Sequence, residues 1–276
     1  MIKDTRPIGM YDSGVGGLTV VRAVQDLLPH EDVIYLADTA RVPYGDKSRD
    51  DIVQFSRQIM DFLTGRGCKM LVVACNTSSA IALPDMAQRL DVPIVGMIVP
   101  GAAKAVRTTR NGRIGIMATN NTAKSGAYGR AIRNLLPEAE VYEVGCPLLV
   151  PMVESGQLEG ERVREAIRGY IGDMLERGID TLIYGCTHYP YLREEIGKVA
   201  GETVRLVDPA IEVADEVRKI TEFDFNGRVA DGGKPQGSLE VLVTGDTEAF
   251  KSSGLRLLGR GLDDVKHLDL EDLISE

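Results

Sequence analysis

Two stretches of this chain end an apolar run in a cysteine and continue with small polar residues. Residues 71–79 read Leu-Val-Val-Ala-Cys-Asn-Thr-Ser-Ser and carry Cys75; residues 181–189 read Thr-Leu-Ile-Tyr-Gly-Cys-Thr-His-Tyr and carry Cys186. A thiol at the carboxyl end of a buried strand, beside a helix N-terminus, sits where open α/β sheets bind ligands. There the helix dipole and free N–H groups favour a thiolate. One such cysteine would read as a small buried hydrophobe. Two, at equivalent ends of similar strands, suggest half-sites facing one another. If both faced one carbon, a thiolate on one side could remove a proton while a thiol on the other delivered one. The stereocentre would invert by general acid–base catalysis, with no cofactor. Each sulfur would need a local partner to manage its proton, Asp12 for Cys75 and His188 for Cys186.

Neighbouring residues supply recognition groups. Asn76, Thr77, Ser78 and Thr187 are neutral hydrogen-bonding side chains that can hold a carboxylate and an ammonium without changing protonation, or else cap helices. The glycine-rich turn Gly14-Val15-Gly16-Gly17 fits neither the dinucleotide fingerprint nor a P-loop, since the glycine spacing differs and no P-loop lysine follows. It does let the backbone approach a ligand closely, with Asp12 and Ser13 at its edge, although Asp12 could equally cap the helix that follows. His188 is one of only three histidines, with His30 and His267. No ligand spacing suits zinc, and no Cys-x-x-Cys pair suits redox chemistry.

The elements that must position these groups alternate between strand and helix, which indicates an α/β fold with mostly parallel strands. Strands are expected at 8–11, 33–37, 70–74 and 93–98, with helices over 18–28, 49–66 and 80–90. A second series has strands at 113–117, 141–144, 182–184 and 204–207, with helices over 123–136, 163–177 and 191–200. The two series overlay: Ile8-Gly9-Met10-Tyr11-Asp12 parallels Ile114-Gly115-Ile116-Met117-Ala118, and the following cysteine lies 63 positions after Asp12 and 68 after Ala118. This reads as a degenerate internal repeat. A helix over 211–220, a Gly- and Asp-rich loop over 226–238, a strand over 239–244 and an acidic tail complete the chain. The last strand must pack somewhere, and the first unit is a candidate, with the second unit inserted within it.

Composition narrows the classes. Hydrophobic content of 43% with 26% charged residues describes a folded globular chain rather than a disordered one. A formal net charge of −9 argues against a nucleic acid or an anionic membrane as the main partner. The four cysteines (Cys68, Cys75, Cys146, Cys186) are scattered, unlike a disulfide framework. The opening Met-Ile-Lys-Asp-Thr-Arg-Pro has no secretory core, and Pro93, Gly96 and Pro100 break the apolar runs before any could span a bilayer. A reducing cytoplasm with free thiols is the expectation.

Taken together, Asp12-Ser13-Gly14-Val15-Gly16-Gly17-Leu18-Thr19, Pro43-Tyr44-Gly45, Ala74-Cys75-Asn76-Thr77-Ser78 and Gly185-Cys186-Thr187-His188-Tyr189-Pro190 resemble the glutamate racemases, the cofactor-independent members of the aspartate/glutamate racemase superfamily. The segment from Cys146 to Glu154 and Val207-Asp208-Pro209 are similar to further family segments, and the likeness thins after about residue 226. The resemblance implies two similar α/β domains, pseudo-twofold related, whose mostly parallel sheets face each other across a cleft: residues 1–98 with 208–276, and residues 99–207. It implies interconversion of L- and D-glutamate for peptidoglycan synthesis by a bacterial cytoplasmic enzyme, with no metal or cofactor and with homodimers common. Cys75 would act on the D-enantiomer and Cys186 on the L-enantiomer, assisted by Asp12 and His188. Asp12, Ser13, Tyr44, Gly45, Asn76, Thr77, Thr187 and His188 would hold the substrate. Thr119 and Thr122 resemble a Gly-Thr-x-x-Thr segment near its side-chain carboxylate, with Ala118 in place of the usual glycine. Glu154 matches an acidic residue near the cleft.

Rival readings keep parts of this picture. An aspartate or hydantoin racemase would share the two-thiol chemistry in a pocket of different depth. A catalytically silent amino-acid-binding regulator would keep the fold, although both thiols and both partners persist here. A pyridoxal phosphate racemase would need a lysine beside a phosphate site, and no such pairing stands out.

Overall fold

The computed structural model describes residues 4–224, 236–259, 261–262 and 264–274. The loop expected over 226–238 lies mostly outside the described residues. Ten strands form two sheets: β1 (Ile8–Asp12), β2 (Val33–Ala37), β3 (Met70–Val73), β4 (Ile94–Gly96), β5 (Arg113–Ala118), β6 (Glu140–Gly145), β7 (Thr181–Gly185), β8 (Arg205–Val207), β9 (Leu239–Val243) and β10 (Val265–His267). The larger sheet runs β10-β9-β2-β1-β3-β4 and the smaller β6-β5-β7-β8, and every described pairing is parallel. Substituting β5–β8 for β1–β4 turns the order β2-β1-β3-β4 into β6-β5-β7-β8. The sequence repeat is therefore a repeat of topology. The strand near residue 240 joins the first sheet through β2.

Parallel strands covered by helices on both faces need apolar side chains in both directions, and these have them. In β3, Met70 and Val72 enter one core cluster while Leu71 and Val73 enter another. In β7, Leu182 and Tyr184 face one cluster and Ile183 the other. The covering helices bury single stripes. In the helix Glu161–Glu176 the buried residues are Val163, Ile167, Ile171 and Met174, spaced at three or four as one helical face requires.

Several helices depart from the sequence expectation, each for a local reason. The helix expected over 80–90 begins earlier, at Asn76, and breaks into Asn76–Ile81 and Leu83–Met86. Pro84 lacks the N–H that would continue the first helix but fits the first turn of the second. The helix expected over 123–136 starts at Asn120 and is divided by Gly126, whose φ of 62° ends the first piece. Tyr189–Leu192 forms a 3-10 turn ahead of the helix Arg193–Ala200. The helix Ile98–Thr108 was hidden by Pro100, which reads as a breaker yet lies in the first turn, where no N–H is required. The acidic tail also holds structure: a helix, Thr247–Leu258, started by the Asp246 cap, then β10.

One buried contact ties the first sheet to the glycine-rich turn. The Tyr35 hydroxyl, on β2, donates to the Gly14 carbonyl at 2.6 Å. Tyr35→Phe keeps the ring and strands that carbonyl, so we expect a loss of about 1 kcal/mol and a fall in Tm of about 2–4 °C. Thermal unfolding followed by circular dichroism measures it; an unchanged Tm would contradict the role.

Candidate active site

The carboxyl ends of β1, β3, β5 and β7 carry Asp12, Cys75, Thr119 and Cys186 into one cavity of about 200 Å³. That is smaller than the sites of drug-sized ligands, which run from about 300 Å³, and suits a small metabolite. Both cysteines line it, one from each sheet, and both are nearly enclosed, at 4% and 7% exposure. Ser13, Tyr44, Gly45, Asn76, Thr77, Glu154, Thr187 and His188 line it as well. Thr122 stands behind the wall, fully buried, and touches the cavity only through its neighbours. Residues given no individual role from the sequence complete the lining: Pro147, Val150 and Pro151, from the segment Cys146 to Glu154 that resembles the family's, with Val42 on an apolar side, and Asp46 and Asn120 on a polar one. Nothing in the types of Val42 and Asp46 separates them from ordinary loop residues.

The glycine-rich turn is shaped by close approach. Asp12 Oδ2 accepts from the N–H groups of Gly14 and Gly17, at 3.1 and 3.0 Å. Asp12 therefore both fixes the turn and faces the cavity, so the two readings of it are compatible. A methyl group at Gly16 would fall 2.4 Å from Thr187 Oγ1 and 2.7 Å from His188 Nδ1. Gly16 is where the first unit's backbone presses against the Thr187-His188 turn of the second.

Further polar contacts cross between the units. The hydroxyls of Thr77, Thr119 and Thr122 form a triangle, with separations of 2.9, 3.2 and 2.9 Å. Asn121 Nδ2 donates to the carbonyls of Tyr44 and Lys47 at 3.0 and 2.8 Å, holding that loop over the cavity. The Tyr44 hydroxyl donates to Asp38 and is thus turned away from any ligand. Tyr44 can contribute only its ring and backbone to the wall.

The electrostatics separate the two thiols. Cys75 caps the helix Asn76–Ile81, with its sulfur accepting from the Ser78 N–H at 3.5 Å. A lowered thiol was expected there, and the structure reverses it. Burial pushes Cys75 up to about 12, the nearby Asp12 carboxylate adds to the rise, and the Ser78 N–H only partly opposes it. Removing water costs the thiolate more than one six-residue helix returns. Cys75 is a thiol at neutral pH. Burial likewise raises Asp12, opposed by the His188 charge and the backbone N–H groups.

His188 goes the other way. Burial disfavours its charge, but Cys186, Glu154 and Asp12 outweigh that and push it up to about 10. Its Nδ1 lies 3.7 Å from Cys186 Sγ and its Nε2 3.3 Å from Glu154 Oε1, the latter a close ion contact off the hydrogen-bond line. At neutral pH the ring is an imidazolium beside Cys186. The site thus holds an acid at Cys75 and a cationic partner at Cys186.

Comparison with known proteins agrees with this geometry. Residues 18–217 match the family model described as Asp/Glu/Hydantoin racemase. The chain is 45% identical over 268 residues to a glutamate racemase of Desulforudis audaxviator, covering 95% of this chain and 97% of that protein. It superposes on the crystal structure of glutamate racemase from Thermus thermophilus in complex with beta-chloro-D-alanine at a TM-score of 0.87, with 40% identity over 97% of this chain and 98% of that one. The structure from Francisella tularensis in complex with D-glutamate gives a TM-score of 0.88 at 33% identity, over 97% and 98% of the chains.

The His188 charge makes a prediction about stability. A histidine raised in the folded state contributes stability that is complete below its unfolded value, near ~6.5, and is lost as pH climbs through the folded one, about 10. The urea midpoint of the wild type relative to His188→Asn should therefore shrink steadily across that window. A difference that stays constant or grows with pH would show that the ring is neutral in the fold.

Proposed function

The chain belongs to the Asp/Glu/Hydantoin racemase family, and on that footing we propose that it interconverts L- and D-glutamate by a two-base proton transfer at the α-carbon. The observation that carries this reading is that Cys75 and Cys186 line one small cavity from the strand ends of different sheets. A substrate α-carbon between them can lose its proton to one sulfur, flatten as the carbanion and regain a proton from the other sulfur on the opposite face. Starting from L-glutamate, Cys186 with His188 beside it takes the α-proton, and the Cys75 thiol delivers one to the opposite face. The reverse direction needs Cys75 to release its proton first, and Asp12, close enough to raise that thiol, is the group that manages it. Glu154 holds His188 in its charged form.

The cavity's charged groups are Asp12, Asp46, Glu154 and His188, with no lysine or arginine among its described lining. The substrate's carboxylates are therefore held by neutral donors, Asn76, Thr77, Thr119 and Thr187, and its ammonium by the acidic side. Thr122 sets the hydroxyls of Thr77 and Thr119 from behind. Ser13 and the Tyr44-Gly45 backbone complete the contact surface.

The two sheets support a division into one domain of residues 1–98 with 208–276 and another of 99–207, the cleft lying between them. Family membership further supports a homodimer and a cytoplasmic enzyme supplying D-glutamate for peptidoglycan. No helix among the described residues is long and apolar enough to cross a membrane.

Incubation with L-glutamate in deuterated water tests the chemistry, since a racemase places deuterium at the α-carbon. Cys75→Ser and Cys186→Ser should each slow racemisation by about 10²–10⁴-fold, the range for losing one acid–base group. Wild-type rates in either variant would refute the two-base assignment, and faster turnover of L-aspartate than of L-glutamate would reassign the substrate.

A further inference from the structure

We propose that Tyr128 is a positioning residue for substrate binding, acting through Asn76; this rests on the racemase reading above. Asn76 is buried in the cavity wall at the start of the helix that follows Cys75. Its Oδ1 accepts a hydrogen bond of 2.7 Å from the Tyr128 hydroxyl, whereas its Nδ2 is buried and has no hydrogen-bond partner. A carboxamide brings two N–H donors, and a buried donor left unpaired is costly. On a cavity wall, the group that completes it is an acceptor carried by the ligand. A carboxylate oxygen is the acceptor a glutamate offers.

Tyr128 decides which end of the amide does this. Its ring is fully buried, packed in one cluster with Ile98, Ala102 and Ile132. A methyl group at Gly101 would lie only 3.2 Å from the ring edge, so the ring has no slack on that side. Burial holds the phenol well above its ordinary value, and it stays a protonated donor. Asn76 Oδ1 is its one acceptor among the described residues. The phenolic proton therefore fixes the amide oxygen towards Tyr128 and the NH₂ towards the other side. Without it the amide is free to turn over and set its oxygen against the substrate carboxylate, replacing attraction by repulsion. Tyr128 belongs to the helix Ala127–Leu135 on the smaller sheet's side and Asn76 to the larger sheet's side. The donor is aimed only while the two units are together.

Steady-state kinetics of the full chain with each enantiomer test this. Tyr128→Phe keeps the ring and should raise KM for both L- and D-glutamate by about 10-fold, the effect of one hydrogen bond to a charged group. Its kcat should stay within about threefold, because no group at the sulfurs is touched. Asn76→Ala should raise KM at least as much, and adding Tyr128→Phe to it should change KM no further, since the two act as one unit. Should Tyr128→Phe fail to fold, Asn76→Asp answers the same question: an acceptor in place of the donor should raise KM more than Asn76→Ala does. A Tyr128→Phe KM within about twofold of wild type, KM effects that multiply in the double variant, or an Asn76→Asp no worse than Asn76→Ala would each overturn the inference. A wild type that turns over glutamate normally leaves the racemase reading standing when this happens. A wild type that never does removes both.

Discussion

Exclusion of water from the meeting point of two strand edges governs this molecule. The carboxyl ends of two parallel sheets carry polar side chains towards each other, and the contact is close enough that Gly16 has no room for a side chain against Thr187 and His188. Asp12, Cys75 and His188, buried there, lose hydration, and what each recovers depends on which neighbours it meets. Cys75 meets a carboxylate and stays protonated. His188 meets the Cys186 sulfur and two carboxylates and stays charged. The same burial thus leaves one group neutral and the other charged, both keeping their protons.

The glycine-rich turn shows how this constraint reaches back into the sequence. Its glycines imitate a phosphate loop at first sight. Here the N–H groups of Gly14 and Gly17 are already occupied by Asp12. The absent side chain at Gly16 serves the opposing unit. The turn is a seat for the second unit's Thr187-His188 stretch, and the carboxylate that organises the seat also faces the cavity.

Much of this was legible in the sequence because it follows from periodicity and position. Apolar runs ending in Cys75 and Cys186 located β3 and β7 within a residue or so, since strands buried on both faces are continuous hydrophobic segments. The repeat foretold the shared strand order. Helix starts were less legible: Asn76 and Asn120 begin helices directly after the strand loops, so the caps Cys75 and Thr119 are also cavity-lining residues and carry no separate signal. Pro100 concealed a helix by sitting in its first turn. The state of Cys75 was read with the wrong sign because a sequence displays the helix N-terminus but not the depth of burial. Tyr128 could not be singled out at all, as an aromatic residue at helical spacing looks like core and is mostly core.

The chemistry of the contacts between the units bears on how the site is filled. Both cysteines are almost fully covered where the polar ends of the sheets meet. On the cavity side of that seam the described hydrogen bonds join no ion pair: threonine hydroxyls, the Tyr128–Asn76 pair, Asn121 on two carbonyls and Asn120 on the Asp46 carboxylate. Such bonds exchange for water at little net cost, whereas a buried ion pair would resist separation once formed. The opposite side of the seam is tight, with the helix Ile98–Thr108 lying on the helix Pro209–Asp224 so closely that Gly101 leaves less than a methyl's space against Pro209, and Lys104 and Arg107 pair with Glu212 across it. Opening the cavity side while this side stays packed is the motion this distribution permits. Thr77 and Thr119, which line the cavity, hold one of the bonds such an opening would break.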